Sequence, residues 1–271
     1  METAGPMFEL SQTALAELAI RMSATAAVVV AVTFAVGRFG PLIGGALAGL
    51  PVVLAPGFYF MAREAPPEFV AEAAAYALWS LCGTQIFILS YMAAASRFAV
   101  APSFLLSTAA WLAAAMVARS LPPVPVAGAA VYLAVTVLTR VAGSRLAGDT
   151  RRRGSVGGPG LLILRGLLAG LLVAVATGAA AYLGAGWSGI LLAYPVGFTV
   201  VAVTLHERLG AAQAIGTLHA ALLGTASLAT FSALLAVLGT RMPILTALAV
   251  AVIASCLLAA ALVLRSRRFG R

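Results

Sequence analysis

The sequence predicts an all-α, polytopic membrane protein of about nine transmembrane helices, built as two inverted four-helix repeats with a central connecting helix. Three observations predict it. Of 271 residues, 62% are hydrophobic and only 9% are charged. The apolar residues fall into runs of roughly the length that crosses a bilayer. The chain also resembles itself at an offset of 144 residues.

Composition comes first. A soluble domain carries roughly 25% charged residues. Here the mean hydropathy is +1.06, and a soluble fold could not cover so much apolar surface without aggregating. In a bilayer the outer face meets lipid, and the difficulty disappears. The 17 basic residues are all arginine and give a net charge of +9. They sit between apolar runs and at the C-terminus, where a membrane protein places them, so nucleic acid is excluded as a partner. Cys82 and Cys256 fall inside apolar runs and read as small core residues rather than a disulfide or a metal pair. The acidic N-terminus, with Glu2, Glu9 and Glu17, lacks the basic region of a secretory signal.

Nine runs read as spans, at about 18–37, 41–62, 68–95, 98–118, 122–142, 161–183, 187–205, 211–238 and 242–264. The fourth and fifth are divided by Pro122-Pro123, which removes two donors and disfavours continued helix. The spans group as a first four-span repeat (1–120), a central span with an Arg-rich loop (121–158), and a second four-span repeat with a basic tail (159–271). With Arg145 to Arg153 and the tail in the cytoplasm, the positive-inside rule places thirteen arginines inside. It leaves four outside: Arg21, Arg63, Arg119 and Arg241. The expected location is a bacterial inner membrane, with the N-terminus outside and the C-terminus cytoplasmic.

At the 144-residue offset Gly40 to Arg97 meets Gly184 to Arg241 without a gap. Gly45 meets Gly189, Leu47 meets Leu191, and Pro51 meets Pro195. Ala77 and Leu78 meet Ala221 and Leu222, while Phe87 meets Phe231. Apolar helices match by chance, so the weight lies in the coincidence of span, loop and proline positions. Equivalent spans lie five apart, an odd number, which makes the halves run through the membrane in opposite senses.

Pro51 and Pro195 each fall near the middle of a predicted span. A mid-helix proline removes a backbone bond and clashes with the preceding turn. Two such breaks at matching places point to a midplane site; the competing reading is a pair of kinks that let helices pack closely through glycine. The third span carries Glu72, Tyr76, Ser80 and Thr84 at four-residue spacing, with Gln85 beside them. Gln213, Thr217, Thr225 and Ser232 form a similar face on the eighth, near His219 and Thr230. These stripes read either as the wall of a solute path or as hydrogen bonding between helices. The predicted substrate-binding set is Pro51, Pro195, Tyr194, Gln85 and Tyr59. The predicted polar stripe or relay is Glu72, Thr84, His219, His206 and Glu207.

His206-Glu207 suggests a zincin, but no second His follows at the required spacing. No Walker-type loop occurs, and Asp149, the lone Asp, leaves no plausible Ser-His-Asp set. No metal, no cofactor and no enzymatic activity are expected. The expected partners are the lipid bilayer, a small or lipid-linked solute, and a second copy of the chain.

Through Ser188, Gly189, Leu191, Leu192, Ala193, Tyr194, Pro195, His206 and Gly210 the second half resembles an uncharacterised family of bacterial integral membrane proteins. In that family a small-Gly-Leu-Leu-Ala-Pro-aromatic-Pro run is followed by His-Arg and Gly. Gly197 stands where the family has a second aromatic, and Ala193 or Tyr194 where it has its first proline. The first half resembles the same family through Gly45, Gly49, Leu50 and Pro51. More distantly, each half resembles the four-span GlpM family, associated with alginate production. Two functions are compatible with these features. One is a secondary transporter; the other is a non-transporting accessory protein that scaffolds envelope or polysaccharide machinery.

Overall fold

The computed structural model describes residues 50–147 and 159–269, together with helical positions 16, 19, 20, 23 and 27. Most of the first predicted span and residues 41–49 of the second lie outside the described residues, as do Arg151, Arg152 and Arg153. Among the described residues there is no strand. From residue 50 on, the described residues form nine helices in order: α1 (Leu54–Glu64), α2 (Pro67–Ala95), α3 (Val100–Ser120), α4 (Pro125–Leu146), α5 (Pro159–Gly178), α6 (Ala180–Leu192), α7 (Val196–Leu209), α8 (Ala211–Leu238) and α9 (Ile244–Phe269). Five of them, α2, α3, α4, α8 and α9, are long and apolar enough to cross a membrane. The pair α6 and α7 makes a sixth crossing if the bent pair is one span. The chain is thus an all-helical protein of membrane character.

Prolines and glycines set the boundaries. Pro67 and Pro125 open α2 and α4, where a missing N–H costs nothing and the fixed φ suits a first turn. The Pro122-Pro123 joint is fastened to the core by Trp79, whose Nε1 donates to Pro122 O at 3.1 Å. α6 is kinked at Gly184, with φ 70° and ψ 169°, a conformation that side chains with a Cβ avoid.

α2 is the centre of the fold and packs against α3, α4, α6 and α8. Its most apolar stretch is 78% buried, against 22% for those of α3 and α4. Those two helices instead expose Leu105, Met116, Val126, Val137 and Leu138, an apolar surface that suits lipid.

The direction of the central helices follows from their contacts. Gly128 of α4 lies against Leu78 and Trp79 of α2, and Gly143 against Met92. Between these levels Thr136 and Thr139 meet Gln85. Residue numbers rise together, so α2 and α4 are parallel. Along α8 they run oppositely: Tyr132 bonds Thr225 at 2.6 Å, while the Arg140 carbonyl meets His219 Nε2 at 3.3 Å. α4 and α8 are therefore antiparallel, and so are α2 and α8. The helix starts share one spacing: Pro67 and Ala211 are 144 residues apart, and so are Val100 and Ile244.

Candidate functional site

Pro51 and Pro195 make the same local turn ahead of a helix. Across Pro51, Val52 N–H donates to Leu50 O at 2.7 Å, and Ala55 N–H to Pro51 O at 2.8 Å. Across Pro195, Val196 N–H donates to Tyr194 O at 2.8 Å, and Thr199 N–H to Pro195 O at 2.8 Å. Pro195 has φ −77° and ψ 51°, the inverse γ-turn that proline's fixed φ favours. The residues forming these bonds are offset by 144 in every case. The segments flanking the second break, Tyr182–Leu192 and Val196–Leu209, meet at 41°.

A break in an apolar environment must find partners for the carbonyls it frees. Tyr194 N–H bonds Leu191 O at 3.0 Å instead of continuing the ladder to Ile190 O. Ser80 Oγ takes the released Ile190 carbonyl at 3.0 Å, and Thr84 Oγ1 takes Ala193 O at 2.9 Å. Ser80 and Thr84 are one turn apart on α2, so both reach the same break. This approach requires Gly189. A Cβ there would lie 1.9 Å from Ala73 O and 2.7 Å from Ala73 C. The backbones of α6 and α2 touch where only a hydrogen fits.

Around this contact the predicted residues separate. Pro51, Pro195 and Thr84 are buried at or beside the breaks. Tyr194 stands edge-on to Trp111 of α3, ring centroids 4.8 Å apart. The breaks approach each other through Gly57 of α1, which packs on Leu192. Gln85 is fully buried but turned to α4: its Nε2 bonds Thr136 Oγ1, and its Oε1 accepts from Thr139 Oγ1 at 2.7 Å. That pairing satisfies its amide within the bundle. Tyr59, 42% exposed, and the exposed Glu72 and Glu207 lie on outer surfaces. His206 Nδ1 is 3.3 Å from the hydroxyl of fully buried Tyr91. His219 packs on Gly143 of α4. Among the described residues, no group of three His, Cys, Asp or Glu is placed to hold a metal ion.

Near the second break, Thr108, Trp111 and Thr199 carry no sequence signal of a site, and Ser188 enters only through the family resemblance. Trp111 Nε1, Thr108 Oγ1, Thr199 Oγ1 and Ser188 Oγ are buried without a hydrogen-bond partner. Thr108 and Trp111 share a face of α3 by their i, i+3 spacing, which the apolar run around them hides. Arg119, at the end of the same helix, lies over the Tyr76 ring at 5.4 Å and donates to its hydroxyl at 3.5 Å. It occupies the space left by Gly186, where a Cβ would come within 2.8 Å of Arg119 Nε.

The fold and this geometry define an all-helical protein of membrane character, in which a bent helix pair is broken at a proline and two carbonyls at the break are taken by side-chain hydroxyls. Comparison with protein-family models, with curated proteins and with solved structures finds no match for this chain.

Proposed function

We propose that the chain is a secondary transporter of the bacterial inner membrane, made of two inverted four-span halves around the central helix α4, that moves a small or lipid-linked solute. The observation that carries this reading is the pair of like proline turns, 144 residues apart, that lead into α1 and α7 beside the antiparallel pair α2 and α8. Inverted repeats with discontinuous helices place solute sites near the midplane and let one scaffold open to either side. Kinship with the GlpM-like four-span unit belongs to the same proposal, with the unit doubled and inverted. The positive-inside orientation, with α1 ending outside and α7 ending in the cytoplasm, belongs to it too.

The competing reading, a static scaffold for envelope or polysaccharide machinery, draws on a specific observation. Gln85, Ser80 and Thr84 are all engaged within the bundle. Accessibility separates the two. Single cysteines replace Thr199 and its offset-equivalent Ala55, in a chain carrying Cys82→Ala and Cys256→Ser. A carrier that alternates exposes both positions to a membrane-impermeant thiol reagent in native vesicles. Complete protection of both would favour the scaffold and remove the carrier.

A further inference from the structure

α7 is a helix set between two joints. It begins at the Pro195 turn and ends at Gly210, whose φ of 87° and ψ of 169° strain any residue with a Cβ. Nothing lies within 4 Å of a Cβ built there. Among the described residues, α7 makes one side-chain hydrogen bond to another helix: His206 Nδ1 lies 3.3 Å from the hydroxyl of Tyr91 on α2. The two rings stand edge to face, with centroids 6.0 Å apart. Tyr91 is fully buried, and among the described residues its hydroxyl has no second partner. At the 144-residue offset the counterparts of His206 and Tyr91 are Ala62 and Leu235, so this tie exists in one half only.

The partner of each ring fixes what a proton does to it. A neutral imidazole has one donor and one acceptor nitrogen. Tyr91 has a proton that needs an acceptor, so His206 Nδ1 accepts from it. A proton taken from water forms an Nδ1–H bond and removes that lone pair. The phenolic proton of Tyr91 is then left buried with no acceptor, which favours separation of the two rings. His219, the other histidine of the chain, is held differently. Its Nε2 meets the Arg140 carbonyl at 3.3 Å. A carbonyl only accepts, so Nε2 carries a proton in either charge state and the bond survives. The helices packed against α7 are α2, α3, α5 and α8. α2 brings Tyr91 and, beyond its last turn, exposed Arg97; its carboxylates Glu68 and Glu72 are at the opposite end. α8 brings half-buried His219, α5 carries Arg165, and the charge of α3 is Arg119 at its far end. Glu207 and Arg208 follow His206 on α7 and are exposed.

We infer that His206 is the proton-binding site of the carrier, with H⁺ as the coupling ion, and that protonation releases α7 from α2. This rests on the carrier reading and names the ion that drives it. Imidazole is the side chain whose charge changes between pH 5 and 8. His206 is half-buried in the last turn of α7, one turn from the end of α2 through Tyr91, so water reaches it while the helix is closed. The joints at Pro195 and Gly210 take up the movement of the freed helix.

The test uses the full chain in nanodiscs, carrying Cys82→Ala and Cys256→Ser. Spin labels are placed on Ser96→Cys and Leu209→Cys, two exposed positions at the ends of α2 and α7. The distance between the labels is measured from pH 8 to pH 5 by electron–electron double resonance. The expected result is a lengthening of about 2 Å or more on acidification. His206→Gln keeps an acceptor for Tyr91 and cannot take the proton, so the lengthening is lost; His219→Gln retains it. No change in the parent chain between pH 8 and pH 5 overturns the inference without any His variant. The same change in His206→Gln, or a change lost in His219→Gln, also overturns it. Thiol reactivity at positions 55 and 199 with no pH-driven movement would leave the carrier reading and remove the proton alone. Complete protection of both positions would remove the carrier reading and the coupling with it.

Discussion

Replacing Gly189 with alanine adds one methyl group at the tightest contact between α6 and α2. The new Cβ would lie 1.9 Å from Ala73 O, and a backbone oxygen inside a helix cannot rotate away. Restoring an ordinary contact of about 3.4 Å moves α6 back by about 1.5 Å. The bonds from Ser80 to Ile190 O and from Thr84 to Ala193 O, at 3.0 and 2.9 Å, would then stretch beyond hydrogen-bonding range. Bonds between membrane helices average about 0.6 kcal/mol and reach about 1.7. Two lost bonds plus overpacking strain of about 1–3 kcal/mol give a destabilisation of roughly 2–6 kcal/mol. The assay is thermal unfolding of detergent-purified protein, with Gly160→Ala as control, since nothing lies within 4 Å of a Cβ there. A Gly189→Ala protein whose Tm matches that of the Gly160→Ala control would refute the close-contact account of the break.

Other outcomes follow from the same geometry. Gly184→Ala meets no neighbouring atom, yet its φ of 70° should destabilise by about 1–3 kcal/mol through the backbone alone, measured by the same unfolding assay. Ser80→Ala with Thr84→Val strands two buried carbonyls and should cost about 1–3 kcal/mol in unfolding free energy, more than the sum for two surface hydroxyls. Thr139→Val leaves Gln85 Oε1 without its donor; destabilisation of about 1 kcal/mol is expected, and Gln85→Leu in the same background should add little further loss if the pair acts as a unit.

The long helices were legible because a run of about 20 apolar residues has one reading in lipid. Runs at 68–95 and 211–238 became α2 and α8 with nearly the same ends. The seventh run reads as one span from 187 to 205 interrupted by Pro195, and the structure breaks it between Leu192 and Val196. The polar stripe was legible as a face, but its partners were not. Ser80 and Thr84 bond carbonyls some 110 residues away, and four-residue spacing cannot name a partner on another helix. Gln85 reads as part of a solute path because its amide needs several bonds; in the structure Thr136 and Thr139 each supply one from α4. Trp111 carries no sequence signal of its own, because an indole in an apolar run reads as bulk. Its missing hydrogen bond is a property of the packed molecule alone.

The central claim, two halves crossing the lipid in opposite senses, is tested most directly by the sidedness of Glu64 and Arg208. Both are exposed, and they are 144 residues apart. Each is replaced by cysteine in turn, in the chain lacking Cys82 and Cys256, and labelled from one side of oriented membrane vesicles. Labelling of the two positions from opposite faces is predicted. Labelling of both from the same face would contradict the inverted arrangement.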